Sequence, residues 1–142
     1  MCNRKRVRRA LRRGAAIVEF AIVAPIFLTL IAGTIEVGRA IVVVQLLTNA
    51  SREGARVGGY STTTSTSTVT AAVNSYLTGV GISGATTTVT PSPPSQAASG
   101  SQVSVVVSIP YDTVSWLPSS FFLGGQTLSA TSVMCREPAP PQ

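Results

Sequence analysis

The chain has 142 residues, room for one modest domain, and only 11% of them are charged where about 25% is usual. It contains no His, and its one Lys is Lys5, so neither a Ser-His-Asp or Cys-His catalytic set nor a His-ligated zinc site can be built from it. No enzyme activity and no cofactor are expected. The net charge of +6 belongs to one end: Arg4, Lys5, Arg6, Arg8, Arg9, Arg12 and Arg13 supply seven of the 11 basic residues, and the first 14 positions hold no acid. The remaining four basic and five acidic residues sum to −1. A basic tail on a nearly uncharged body suits nucleic acid in principle, but the apolar segment after the tail points to a membrane instead, so no nucleic-acid partner is expected.

Residues 15–35, AAIVEFAIVAPIFLTLIAGTI, carry one charge, Glu19. At about 1.5 Å per residue this helix would be about 31 Å long, the thickness of a bilayer's hydrocarbon core. The basic cluster lies before the span, which places the N-terminus in the cytoplasm and the rest of the chain outside. A cleaved secretory signal fits less well, since the apolar run exceeds a signal core and no A-x-A-like site comes after it. Pro25 removes a backbone donor inside the span and predicts a kink. Glu19 sits a turn or so inside the start, where a carboxylate near the headgroups would be favoured by the helix dipole.

Beyond the span the helix is expected to continue to about residue 57. Glu36 and Arg39 are i,i+3 neighbours, as are Glu53 and Arg56. Ala50, Gly54 and Gly58 recur every four residues, a row of small side chains that admits either a partner helix or the outer domain itself. Residues 58–68, rich in Gly, Ser and Thr, read as a flexible linker. Val69, Ala72, Val73, Tyr76, Leu77 and Val80 then have the spacing of a short amphipathic helix, begun near Thr68 and stopped by Gly79 and Gly81. Three strands are expected at 85–90, 102–109 and 127–135, the second with Val103, Val105, Val107 and Ile109 on one face, the third with Leu128, Ala130 and Met134 on one face.

Between the last two strands an apolar loop holds Trp116, Leu117, Phe121, Phe122 and Leu123, suited equally to covering the sheet and to binding a partner. Cys2 and Cys135 fall on opposite sides of the membrane and cannot pair within one chain, which leaves Cys135 buried, free or linked to another subunit. The fold class is α+β: a long N-terminal transmembrane helix (15–57, after a basic leader at 1–14), then a small outer domain (69–137) of one short helix and about three antiparallel strands, and a disordered tail at 138–142.

The stretch Arg12-Arg13-Gly14-Ala15-Ala16-Ile17-Val18-Glu19-Phe20 resembles a prepilin-type leader junction, in which a basic leader ends in Gly and Glu is the fifth residue after the cut. Downstream, Glu36-Val37-Gly38-Arg39, Leu47-Thr48-Asn49-Ala50 and Ser51-Arg52-Glu53-Gly54-Ala55-Arg56 resemble the TadE-like family, pseudopilins of the bacterial tight-adherence (Tad) pilus and secretion machinery, as does Val133-Met134-Cys135-Arg136-Glu137 at the C-terminal end. The resemblance implies cleavage between Gly14 and Ala15 by a prepilin peptidase. It also implies pairing of Glu19 with the new amine of a neighbouring subunit, and a single-pass protein of the bacterial inner membrane with possible incorporation in a pilus. The implied partners are other Tad pilins or pseudopilins and inner-membrane assembly proteins, in a homo- or hetero-oligomer. Because the small-residue row falls largely within the family-like segment, the resemblance also favours a partner helix on Ala50, Gly54 and Gly58. Two other readings stand beside it: a generic single-span membrane protein with a small outer binding module, its leader not cleaved, and a membrane-anchored hydrolase using Asp112 or Glu137. Those two acids are isolated in sequence, with no base of suitable pKa nearby.

Overall fold

The computed structural model describes residues 3–117 and 122–138, with side chains from residue 16 onward. Its elements are α1 (Asn3–Gly59), α2 (Thr66–Gly79), β1 (Thr86–Thr90), β2 (Gln102–Pro110) and β3 (Thr127–Cys135), with single 3-10 turns at Pro94–Gln96 and Tyr111–Thr113. The fold is α+β, as the sequence pattern predicts. Two units divide the chain at Ile35 and Glu36.

In the first unit, α1 is long and apolar enough to cross a membrane. Ile17, Phe20, Ile22, Ile26, Phe27 and Leu30 all stand exposed on it, an arrangement that water disfavours and a lipid phase accepts. The helix continues through Pro25. Thr29 and Thr34 turn their hydroxyls back on their own helix, donating to the carbonyls of Pro25 (2.8 Å) and Leu30 (2.9 Å), so neither brings an unpaired polar group to the apolar surface.

The second unit is built on a three-stranded antiparallel sheet in the order β1-β2-β3. Register pairs Val89 with Val105 and Val105 with Ser132, placing the apolar side of the central strand opposite matching positions on both neighbours. Val103, Val105, Val107 and Ile109 are all fully buried, as their alternation predicts. Against them pack Val69, Val73 and Leu77 of α2 and Val43, Leu47 and Ala50 of α1. The outward face of the sheet carries mainly hydroxyls, Thr86, Thr88, Thr90, Ser104, Ser108, Ser129 and Thr131, with Val106 and Val133 among them.

Two boundaries differ from the sequence reading. The α+β domain does not begin near residue 69, because α1 from Glu36 onward already supplies part of its core. The stretch 58–68 is also not a free linker. Gly58 and Gly59 complete α1, Ser65 caps α2 by accepting from the Ser67 amide (3.2 Å), and only residues 60–65 join the helices. That turn is tied down: Thr63 donates its hydroxyl to the Val57 carbonyl (2.7 Å), and the buried guanidinium of Arg136 donates to the carbonyls of Ser61 (2.9 Å) and Thr63 (3.2 Å). A charged donor shared between two carbonyls fixes a loop that its Ser/Thr composition alone would leave loose. Val80 falls beyond the end of α2 and is exposed rather than on its buried face.

Candidate functional site

The two residues of the expected leader junction, Gly14 and Ala15, are both within α1, on continuous helical backbone. Glu19 is exposed on the apolar unit, and no described side chain pairs with it. Cys2, Phe121 and the tail beyond residue 138 lie outside the described residues.

The small-residue row is occupied from within the chain. A Cβ added at Gly54 would come within 2.6 Å of Val73 Cγ2 and 3.1 Å of Val105 Cγ1, and one at Gly58 within 3.1 Å of Val103 Cγ1. Ala50 is fully buried beside them. The close approach expected to serve a partner helix is therefore taken by α2 and β2 of this chain. This gives the Ser51-Arg52-Glu53-Gly54-Ala55-Arg56 segment a physical reading. Ser51, Gly54 and Ala55 face the core, where the Ser51 hydroxyl donates to the Thr48 carbonyl (2.9 Å) and accepts from Ser132 Oγ of β3, 2.7 Å away. Arg52 points outward, and Glu53 and Arg56 form a surface pair. The hydrogen bond from Arg56 holds the Glu53 carboxyl below its usual range, and Arg56 in turn is raised by Glu53; Arg56 also contacts the Tyr60 ring and hydroxyl.

Glu36 and Arg39 do not pair with each other, although their spacing allows it. Glu36 is 0% exposed, and its two carboxyl oxygens accept the backbone N–H groups of Phe122 (3.0 Å) and Leu123 (3.3 Å). Its own carbonyl accepts the Tyr111 hydroxyl at 3.0 Å. Arg39 donates Nε to the Val114 carbonyl (2.9 Å), and its guanidinium carbon lies 4.7 Å from the centre of the Trp116 ring. One helical turn of α1 thus grips both ends of the apolar loop. Leu123 packs on the core while Trp116 and Phe122 remain 69% and 61% exposed. The loop therefore only partly serves as a cover for the sheet. The missed signal was the spacing of Glu36, Ala40, Val43 and Leu47, which puts Glu36 at the head of the buried stripe.

Cys135 ends β3 as an exposed free thiol. Asp112 accepts the Gly125 amide at 2.9 Å, which braces the far end of the same loop. Glu137 donates its backbone N–H to the Gly59 carbonyl, closing the end of α1. Among the described residues no group of three His, Cys, Asp or Glu side chains gathers to hold a metal.

No curated protein and no solved structure gives a significant match. A family model does: the one described as TadE-like protein matches residues 14–56, from Gly14 to the last residue of the Ser51–Arg56 segment. In that N-terminal segment the chain is similar to the TadE-like proteins, the family that its junction and its juxtamembrane helix resemble.

Proposed function

We propose that the protein is a TadE-like pseudopilin, a non-enzymatic component of a bacterial Tad pilus system, anchored in the inner membrane by α1 with its α+β domain outside. The observation that carries this reading is where the family match begins: at Gly14, the residue before the expected cut, with an exposed apolar helix directly after it. A glycine there lets a peptidase approach the backbone without a side chain in the way. Cleavage leaves an ammonium on Ala15, and Glu19, a turn along the mature helix, supplies the opposite charge to a neighbouring subunit. An intramembrane carboxylate is costly alone and tolerated when paired, so the pair sets register between subunits.

The test is the N-terminus of the mature chain, read by mass with and without a prepilin peptidase. A chain beginning at Ala15 only when the peptidase is present supports the proposal. One that begins at Met1 in both cases leaves a generic single-span protein.

A further inference from the structure

We propose that Trp116 and Phe122 form a membrane-interface anchor, seated in the phospholipid headgroup layer; the proposal rests on the reading of α1 as a transmembrane helix. Among the described residues, Trp116 and Phe122 are the two most exposed aromatic side chains of a domain whose outward sheet face is mostly hydroxyl-bearing. Both are fastened to the first turn of α1 after the span, Trp116 by the guanidinium of Arg39 and Phe122 by its amide to the carboxyl of Glu36.

Distance along α1 selects the occupant. Glu36 comes directly after Ile35, and Arg39 lies four residues beyond it, about 6 Å along the helix. The headgroup region on each side of a hydrocarbon core is about 5–8 Å deep, so the residues that hold the two aromatics fall within it. That layer favours an apolar ring with a polar edge, as Trp has, and a cation close to lipid phosphates, as Arg39 provides. The acids near the loop are both engaged by backbone donors, Glu36 by the Phe122 and Leu123 amides and Asp112 by the Gly125 amide.

Because Trp116 is the single Trp of the chain, its fluorescence reports the anchor directly. The full chain is reconstituted into phosphatidylethanolamine–phosphatidylglycerol vesicles, checked for flotation after alkaline wash, and probed with aqueous iodide and with lipids brominated at shallow or deep acyl positions. The expected result is blue-shifted emission, protection from iodide and strongest quenching by the shallow lipid label. Phe122→Asp, a change at an exposed side chain, should shift the emission to the red and reduce the lipid quenching. A chain that floats while Trp116 is quenched by iodide and not by lipid overturns the anchor proposal and leaves the span standing. Protection from both quenchers that grows with protein-to-lipid ratio assigns the two aromatics to a second copy and also overturns it. Failure to float removes the span, and the anchor proposal with it.

Discussion

The Tyr111 hydroxyl donates to the backbone carbonyl of Glu36, 75 residues earlier in the chain, at 3.0 Å and with both residues fully buried. Together with the two amides bound by the Glu36 carboxyl, this makes the head of the buried stripe of α1 the point where the loop after β2 is fixed. Burying a carboxyl group is costly unless its oxygens find donors, and here two backbone N–H groups meet them.

Removing that centre should loosen the loop more than the sheet. Tyr111→Phe loses one buried hydrogen bond and should cost about 1 kcal/mol, whereas Glu36→Ala strands two amides and opens a cavity, costing about 3 kcal/mol. Thermal unfolding in detergent should show the larger fall for Glu36→Ala, and limited proteolysis should cut first between Tyr111 and Gln126. Equal stability of wild type and Glu36→Ala would mean that the carboxyl does not hold the loop.

Gly54→Ala tests the close approach of α1 to α2. The added methyl meets Val73 Cγ2 at 2.6 Å, and a β-branched side chain on a helix has little rotamer freedom with which to withdraw. A loss of about 1–3 kcal/mol is expected by overpacking, against the gain that Gly→Ala gives in an open helix. Gly38→Ala provides the contrast, since nothing lies within 4 Å of its added Cβ. A Tm for Gly54→Ala at or above wild type would show that the helices do not meet there.

The sheet was legible because its alternation is strict: Val103, Val105, Val107 and Ile109 are separated by Ser and Val, and β2 and β3 appear close to the predicted positions. The amphipathic stripe of α2 was equally clear at Val69, Val73 and Leu77. What composition concealed was the membership of α1 in two environments. Residues 37–47 are so apolar that a stripe containing Val43 and Leu47 does not stand out from its neighbours Ile41, Val42 and Val44. The role of Glu36 was hidden for a different reason: its partners are backbone amides, which carry no side-chain signature, whereas Arg39 three residues away offered a plausible ion pair. The tract at 61–68 misled in the same way, because Ser and Thr that cap and close a turn have the composition of a linker.

The Glu53–Arg56 pair should add a small, acid-sensitive contribution. Because the folded Glu53 carboxyl is held below its unfolded value, the contribution is complete above the ordinary carboxylate range and is lost as pH falls through the lowered folded value. Both side chains are well exposed, so the effect is weak and fades in salt. Glu53→Gln should flatten this part of the stability–pH curve at low ionic strength while leaving neutral-pH stability nearly unchanged. An unaltered acid limb in that variant would show that the pair does not contribute to it.

Cleavage and assembly should separate at the leader junction. Gly14→Leu should block processing, because a branched side chain obstructs the peptidase, yet the chain should still insert, since its span and basic flank are unchanged. Glu19→Ala removes an intramembrane charge, so insertion should be no worse, and processing that depends mainly on Gly14 should continue. The cut Glu19→Ala chain should nevertheless fail to assemble, because the Ala15 ammonium has lost its opposite charge. Glu19→Asp, one methylene shorter, should fall between. The readouts are the mass of the mature chain and its co-purification with other pilus components. Normal processing of Gly14→Leu would remove the main support for a prepilin-type junction. Normal cleavage and assembly of Glu19→Ala would assign that carboxylate to the headgroup region and leave subunit register to be set elsewhere on α1.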